Sequence, residues 1–366
     1  MEYVQERVTT LHDLTGDVPD APTGDVAVIV PMTDRECGTR AAERVLAELE
    51  AVGPGAVVVP LRAPPGRVAT FREWLASFDL PLELLWCNGP RTGDLLARHG
   101  LDGATGKGRD VWLALGVAAE RADYVVVHDA DAKTYDASWV PRLLAPLVGE
   151  FSFTKGYYAR VEDDRLYGRL FRLFYEPLVA ALAERHDAAV LEYLAAFRYA
   201  LAGEFGLTAD LARSLRVERE WGLEVGTLGD AFAHAGFAGT AQVDLGRYEH
   251  DHRGVAGPDG LSAMSEGVAD ALFRVCETEG LDPDYPLLAR RYRETADRFV
   301  RQYAADAVHN GLTYDPAAER EQVATYADAV APPDDAGVLP AWSDVGLTPG
   351  AVLDAARPRV PQRPSD

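Results

Sequence analysis

The segment Tyr124-Val-Val-Val-His-Asp-Ala-Asp131 joins a short run of β-branched residues to two carboxylates. Three consecutive valines are typical of a buried strand, and the polar residues that follow mark its end. Similar runs precede it in the chain, separated by segments with helical spacing. The predicted strands are 25–31, 56–61, 82–87 and 124–128, and the predicted helices are 39–52, 67–78 and 110–122. This alternation predicts an α/β fold with a mostly parallel sheet that helices cover on both faces.

The pattern changes after residue 150. A strand over 151–158 and a short strand over 242–245 flank two long apolar segments with helical spacing. Two further helical segments, over 261–279 and 286–305, indicate a C-terminal helical extension. From residue 331 on, Pro, Asp and Gly accumulate, which is typical of a flexible tail. The predicted organisation is an N-terminal arm (1–24), an α/β domain (25–255), a helical extension (256–330) and a tail (331–366).

The composition excludes several kinds of partner. The chain has 366 residues, of which 48% are hydrophobic, so it can bury a sizeable core. Asp and Glu number 58 against 36 Lys and Arg, which gives a formal charge of −22. Nucleic acid and anionic membranes are bound by clustered Lys and Arg, so this surplus of acid argues against both partners.

Cysteine usage and the N-terminus predict the compartment. Cys37, Cys87 and Cys276 are far apart, and no CxxC pair occurs, which argues against a zinc knuckle or a disulfide framework. The N-terminal residues lack the apolar run of a signal peptide, and no apolar stretch approaches the about 20 residues that span a bilayer. We therefore expect a cytoplasmic protein.

Lysine is scarce in this sequence. Only Lys107, Lys133 and Lys155 occur among the 36 cationic residues. Scarce lysine with high acidity leads to the hypothesis of a halophilic protein, kept soluble in concentrated salt. If surface lysine has been nearly eliminated, the three that remain are expected to have specific roles, although chance clustering is the alternative.

Two motifs point to a phosphate-binding site at the sheet edge. Asp129 and Asp131 are alternate residues of an extended segment, so both carboxylates can face a hard cation on a diphosphate. Gly106-Lys107-Gly108 offers a point charge between two small residues, just before a predicted helix whose N-terminus favours anions. A solvated acidic turn and an ordinary loop lysine are the alternatives. The GxGxxG and GxxxxGK[ST] fingerprints are absent.

Other candidate residues stay open on residue chemistry alone. His250 and His252 could supply a metal ligand or could be surface residues. Glu204 and Glu224 stand beside aromatic residues, where they could orient sugar hydroxyls or could simply cap helices. A further group of cations suits a phosphorylated acceptor, with salt pairs to the many acids as an equal alternative. This group is Lys155, Arg169 and Arg172.

The order of these motifs resembles the glucosyl-3-phosphoglycerate synthases, which are retaining GT-A glycosyltransferases related in plan to mannosylglycerate synthases. The resemblance covers residues 25–255. It rests on a series of short matches, none of them specific alone, that run along the chain in the family's order. The matches are Pro31, Gly106-Lys107-Gly108, Asp129-Ala-Asp131, Phe153-Thr-Lys-Gly-Tyr-Tyr158, Gly168-Arg169, Ala202-Gly-Glu204, Trp221-Gly-Leu-Glu224 and Tyr248-Glu-His250.

The resemblance implies transfer of glucose from a nucleotide-diphosphate sugar to the 2-hydroxyl of 3-phosphoglycerate, with a divalent cation (Mg²⁺ or Mn²⁺). Asp131 and His250 would ligate the cation. The implied nucleotide-sugar contacts are Pro31, Thr33, Glu36, Lys107 and Asp129. Leu201 and Glu224 would lie near the transferred sugar, and the implied acceptor contacts are Gly168, Arg169 and, from its residue type, Lys155. The family precedent and the helical extension also lead us to expect a homodimer.

Two positions depart from the family pattern on the acceptor side. Phe171 stands where the family often has Thr, and His252 stands where it may carry Asn. The acceptor and the choice between glucose and mannose are therefore open, whereas the donor-side motifs are intact. A lipid or polysaccharide acceptor, a sugar-phosphate nucleotidyltransferase and a non-catalytic nucleotide-sugar-binding regulator remain as alternative functions. The retained Lys107, Asp129, Asp131 and His250 argue against the regulator.

Overall fold

The computed structural model describes residues 6–13, 15–250, 258–334 and 337–358. His252 and the end of the predicted tail, 359–366, therefore lie outside the described residues. Within those ranges, no helix is both long enough and apolar enough to cross a membrane.

The centre of the molecule is a mixed, mostly parallel β-sheet. In chain order the strands are β1 (Thr9–Leu11), β2 (Val26–Ile29), β3 (Met32–Thr33), β4 (Ala56–Arg62), β5 (Leu82–Trp86), β6 (Tyr124–Val127), β7 (Phe153–Ala159), β8 (Val161–Glu162), β9 (Arg165–Leu166), β10 (Phe205–Thr208), β11 (Val217–Glu218), β12 (Thr240–Arg247) and β13 (Val338–Leu339). The main sheet has the order β1-β12-β7-β10-β6-β2-β4-β3, with β5 also paired to β4. β10 runs antiparallel to both β6 and β7, and the other pairings are parallel.

Helices cover the sheet and form the C-terminal extension. They are α1 (Arg40–Val52), α2 (Pro65–Leu75), α3 (Pro90–Arg98), α4 (Lys107–Arg121), α5 (Trp139–Val148), α6 (Glu176–Ala183), α7 (Ala189–Leu194), α8 (Ala209–Ser214), α9 (Leu223–Ala235), α10 (Pro258–Thr278), α11 (Tyr285–His309), α12 (Pro316–Tyr326) and α13 (Pro349–Ala356). A π-helical turn, Leu170–Tyr175, leads into α6. The predicted α/β class and the C-terminal helices are both observed.

The valine-rich strands lie in the middle of the sheet for a simple reason. Every residue of β2 is buried, and so are the three valines of β6, because helices cover both faces there. α4 is buried along most of its length, which explains why its sequence reads as apolar on nearly every side. It begins at Lys107, one turn earlier than the predicted start at Asp110.

The predicted flexible tail is wrong for the part of it that the structure describes. Trp342 stacks on Trp112 of α4, with ring centroids 4.7 Å apart. Each indole N–H also donates to a backbone carbonyl of the opposite segment. Trp342 Nε1 donates to the Trp112 carbonyl (2.7 Å), and Trp112 Nε1 donates to the Pro340 carbonyl (2.8 Å). A Cβ on Gly116 would lie 2.2 Å from the Trp342 ring, so this glycine makes the space. The high Pro and Gly content of this segment led to the prediction of a flexible tail, although Trp342 anchors it to α4.

Replacement of that anchor is expected to destabilise the fold. Trp342→Ala removes a buried indole and leaves a cavity against α4, which should lower the free energy of unfolding by about 3–5 kcal/mol. Urea titration of the variant measures this. Val308→Ala, on a side chain that is 77% exposed, is the control and should change little. Equal stability of Trp342→Ala and the parent chain would contradict the docked tail.

Candidate active site

The carboxyl ends of the central strands meet at one edge of the sheet, and several predicted site residues stand there. Asp129 and Asp131 directly follow β6, and Pro31 separates β2 from β3. The Glu36 carboxylate accepts hydrogen bonds from the backbone N–H (2.5 Å) and the hydroxyl (2.7 Å) of Thr33. Glu36 thus shapes the loop after β2 beside the acidic pair, as a ligand-binding loop in a parallel sheet requires.

Lys107 joins two carboxylates from distant parts of the chain. Its Nζ lies 2.6 Å from Asp129 Oδ1 and 3.1 Å from Glu224 Oε1. Burial alone would lower the pKa of Lys107, but the charges of Asp129 and Glu224 raise it above its ordinary value. Burial acts to raise the pKa of Asp129, and Lys107 lowers it by more, so both groups stay ionised. Their side chains remain 27% and 28% exposed, which leaves them accessible to a ligand.

The glycines around Lys107 serve packing. A Cβ on Gly108 would lie 1.7 Å from the Glu218 carbonyl oxygen, and one on Gly106 would lie 2.6 Å from Glu220 Cα. The Arg109 N–H also donates to the Arg219 carbonyl (2.8 Å). The small size of these glycines thus lets segment 218–220 hold the start of α4, and with it Lys107, in place.

Backbone pairing brings the two predicted metal ligands together. Ala132 and His250 form an isolated antiparallel bridge, and the Lys133 N–H donates to the Glu249 carbonyl (2.7 Å). The Tyr248 hydroxyl donates to Asp131 Oδ1 at 3.3 Å. Burial and the neighbouring charge of Asp129 raise the pKa of Asp131 to about 7.

The turn that contains Leu201 lies against the acidic pair. A Cβ on Gly203 would come within 2.2 Å of Asp129 Oδ2, so only glycine fits there. The next residue, Glu204, is fully buried, and neither of its oxygens makes a hydrogen bond of ordinary geometry within the described chain. Burial and the charge of Asp129 raise the pKa of Glu204 to about 8, an effect that the Tyr158 hydroxyl partly offsets.

Lys155 does not occupy the acceptor position expected from the sequence. It is 1% exposed, and its Nζ donates to the Ala202 carbonyl at 2.5 Å. Its ammonium also lies 5.5 Å from the centroid of the Phe205 ring. Burial lowers the pKa of Lys155 to about 8 despite the charges of Glu224 and Glu204. Lys155 therefore stabilises the Leu201–Gly203 turn from inside the fold through the Ala202 carbonyl. It is too buried to contact an acceptor substrate.

Arg160, which the sequence analysis did not select, connects the acceptor side to His250. One Nη atom of Arg160 donates to the Tyr199 hydroxyl (3.2 Å), and the other donates to His250 Nδ1 (2.5 Å). Its guanidinium also lies over the Tyr248 ring, 5.5 Å from the centroid. Tyr248 belonged to a recognised motif, but Arg160 and Tyr199 carried no sequence signal beyond charge and aromaticity.

The remaining acceptor candidates stand at the start of the π-helical turn. Gly168 has a φ of +74°, and a Cβ there would lie 2.9 Å from the Tyr199 hydroxyl oxygen. The Arg169 side chain is 45% exposed, and its Nε donates to Glu319 Oε1 at 2.8 Å. Phe171 is buried, with its ring 4.9 Å from that of Tyr199. Gly168 thus lies against Tyr199, and the Tyr199 hydroxyl accepts from Arg160, which also contacts His250.

The donor groups at this edge fit a divalent cation. Asp131 offers an oxygen, and the bridge from its neighbour Ala132 to His250 brings an imidazole nitrogen to the same edge. A cation on that imidazole would displace the Arg160 hydrogen bond, because a neutral imidazole has only one lone pair to offer. The pKa of Asp131 is raised by burial and, after that, by repulsion from Asp129, and a bound cation would relieve this repulsion. Across the described ranges no group of three His, Cys, Asp or Glu side chains is placed to hold an ion, so further ligands would come from solvent or substrate.

Comparison with known proteins identifies relatives over most of the chain. It is 34% identical over 357 residues to a glucosyl-3-phosphoglycerate synthase of Methanococcoides burtonii, covering 90% of this chain and 88% of that protein. A synthase of the same name from Persephonella marina is 36% identical over 275 residues, covering 71% and 68%. No family model matches the chain.

Solved structures show the same fold. The glucosyl-3-phosphoglycerate synthase of Mycobacterium tuberculosis, in complex with Mn²⁺, UDP and phosphoglyceric acid, superposes with a TM-score of 0.57 at 24% identity. The match covers 76% of this chain and 88% of that one. The predicted GT-A architecture is confirmed by this similarity.

Glu204 should make stability depend on pH in a defined direction. Its pKa is about 8 in the folded chain and near 4.5 when exposed, so unfolding releases a proton between those values. The free energy of unfolding should therefore fall as the pH rises from about 5 to about 8, by up to about 1.4 kcal/mol per unit. Glu204→Gln should flatten this slope, whereas the exposed control Glu120→Gln should not. Denaturant titrations with a chelator present measure it, and parallel slopes would refute the role of Glu204.

Proposed function

The chain belongs to the glucosyl-3-phosphoglycerate synthase family, and on that premise we propose that it transfers glucose from UDP-glucose to the 2-hydroxyl of 3-phosphoglycerate. The observation that carries the proposal is the arrangement at the sheet edge. The Lys107–Asp129 ion pair lies beside Asp131, and the Ala132–His250 bridge brings His250 to the same edge. Gly168, which precedes the half-exposed Arg169, packs on Tyr199, and Arg160 contacts both Tyr199 and His250.

The donor side would bind the nucleotide diphosphate. Lys107 is the only lysine whose ammonium is both exposed to ligand and paired with site carboxylates, and it would attract the diphosphate electrostatically. Asp129 orients that ammonium. Pro31, Thr33 and Glu36 form the neighbouring loop and would line the nucleotide pocket.

Asp131 and His250 would hold the divalent cation. The relatives' solved structures contain Mn²⁺ or Mg²⁺ together with UDP. A cation bound here would neutralise charge on the departing diphosphate. The chain's own part is to keep both ligands adjacent through the Ala132–His250 bridge and to hold Asp131 with the Tyr248 hydroxyl.

The transfer would retain the anomeric configuration by attack from the face that the diphosphate leaves. The bond from the glucose anomeric carbon to the diphosphate oxygen breaks, the bond to the acceptor 2-oxygen forms, and the departing oxygen takes the hydroxyl proton. Glu224 is held by Lys107 and Glu204 is fully buried, so neither carboxylate stands free as an enzymic nucleophile. Leu201 and Glu224 would instead contact the transferred sugar, and a trapped glycosyl-enzyme adduct would contradict this route.

The acceptor would be bound around Gly168 and Arg169. Arg169 is exposed enough to meet a phosphate, and Gly168 keeps the backbone close to Tyr199. Phe171 packs on the Tyr199 ring and would support this pocket by apolar contact. The family often has Thr at this position, whose hydroxyl Phe171 lacks.

Three broader properties belong to the same proposal. The expected homodimer rests on the family precedent and the helical extension. Adaptation to high salt rests on the net charge of −22 and on the scarcity of lysine, of which Lys107 and Lys155 both have specific contacts. A cytoplasmic location agrees with free thiols at Cys37, Cys87 and Cys276.

A donor-by-acceptor turnover screen tests the function. UDP-glucose, ADP-glucose and GDP-mannose are each combined with 3-phosphoglycerate, glycerate or no acceptor, in high salt with Mg²⁺ or Mn²⁺. We expect UDP release that requires both UDP-glucose and 3-phosphoglycerate, since the phosphate meets Arg169. Donor hydrolysis that 3-phosphoglycerate does not stimulate would contradict the proposed acceptor, and preference for GDP-mannose would contradict the proposed donor.

Asp131→Asn should abolish the metal-dependent step without unfolding the chain. Loss of one ligand should lower kcat by about 100-fold or more, and weaken Mn²⁺ binding in the presence of UDP, which electron paramagnetic resonance measures directly. Thermal stability should hold, because the substitution removes a buried charge. Asp123→Asn, at the opposite end of β6, is the matched control. Full activity or unchanged Mn²⁺ affinity in Asp131→Asn would remove Asp131 from the metal site.

A further inference from the structure

We propose that Glu319, in the C-terminal extension, positions Arg169 to bind the phosphate of the acceptor. The inference rests on the proposed function for the identity of that acceptor. Glu319 lies on α12, 150 residues beyond Arg169 in the chain, and outside residues 25–255, to which the recognised sequence motifs were confined.

Glu319 bridges two arginines from one buried position. Its side chain is 5% exposed. Oε1 accepts from Arg169 Nε at 2.8 Å, and Oε2 accepts from Arg172 Nη1 at 3.1 Å. Two guanidinium groups this close would repel each other, and the carboxylate between them removes that repulsion. One positive charge is left over, which suits an anionic ligand.

The two arginines are not equivalent. Arg172 is buried, and it also donates to the carbonyls of Tyr167 (3.0 Å) and Leu166 (3.4 Å), so the backbone holds it independently of Glu319. Within the described chain, Arg169 has hydrogen-bond contact only through Nε. Its terminal nitrogens stay available, and the side chain is 45% exposed. Among the residues that the structure describes, Glu319 is therefore the one side chain whose hydrogen bond fixes the direction in which Arg169 presents those nitrogens.

The extension is anchored at the same place by its backbone. The Thr313 N–H donates to the Asp164 carbonyl (2.6 Å), and Thr313 forms a parallel bridge with Arg165 of β9. The hairpin of β8 and β9 leads directly to Gly168 and Arg169. The chain is thus tied to the acceptor segment six residues before Glu319, and a carboxylate at that position can hold a fixed distance to Arg169.

A double-mutant cycle on Michaelis constants tests the positioning role. Glu319→Gln keeps the size of the side chain but can accept from only one arginine. We expect it to raise the KM for 3-phosphoglycerate by about tenfold, the equivalent of one charged hydrogen bond, with the KM for UDP-glucose unchanged. Arg169→Met should raise the acceptor KM at least as much. In the Arg169→Met background, Glu319→Gln should have no further effect, because it acts through Arg169.

The control and the alternative outcomes are specific. Glu321→Gln, an exposed residue of the same helix, should leave both Michaelis constants unchanged. An unchanged acceptor KM in Glu319→Gln, or an equal rise with and without Arg169, would overturn the inference. If Glu319→Gln fails to fold, Glu319→Asp serves in the same cycle, since the shorter carboxylate cannot reach both arginines. Absence of 3-phosphoglycerate-dependent turnover in the unsubstituted chain would instead overturn the proposed function.

Discussion

The ion pair between Lys107 and Asp129 is the interaction on which the rest of the site depends. The fold collects Asp129, Asp131, Glu204 and Glu224 at one edge of the sheet, and their charges oppose one another. Lys107 reduces the repulsion among these carboxylates because it pairs with Asp129 and Glu224. Its position is fixed by the close packing of Gly106 and Gly108 on segment 218–220. One lysine cannot neutralise all of these carboxylates, and a divalent cation at this edge, as proposed above, would relieve the repulsion that remains.

The parts of the fold that local sequence patterns encode were predicted correctly, and the candidate residues that follow β6 were found in the same way. Short local patterns were enough to predict the valine runs of β2 and β6 and the apolar faces of α1 and α4. The carboxylates that follow β6 were recognised from the same short segment. The strand β10 was missed, because an antiparallel strand of four residues between two turns has too little pattern. Lys155 was misplaced because its charge indicated exposure, whereas the Ala202 carbonyl and the Phe205 ring hold it inside.

Contacts between distant segments could not be derived from the sequence. Arg160 pairs with His250 across 90 positions, and Glu319 pairs with Arg169 across 150. Neither residue differs in its local sequence from the many other charged residues of this acidic chain. The glycines of the Gly106-Lys107-Gly108 motif make the same point, since the backbone of residues 218–220, which limits their size, lies more than 100 positions away in the sequence.

The interlocked indoles of Trp112 and Trp342 have a consequence for biosynthesis. α4 carries Lys107 at its start, and the ring that fills the gap at Gly116 comes from near the end of the chain. β1 likewise pairs with β12, more than 200 residues away. A growing polypeptide on the ribosome therefore lacks the packing that holds α4 and Lys107 until almost all of it has been translated. An unfinished chain is expected to leave this helix, and the sheet edge at its start, incompletely packed.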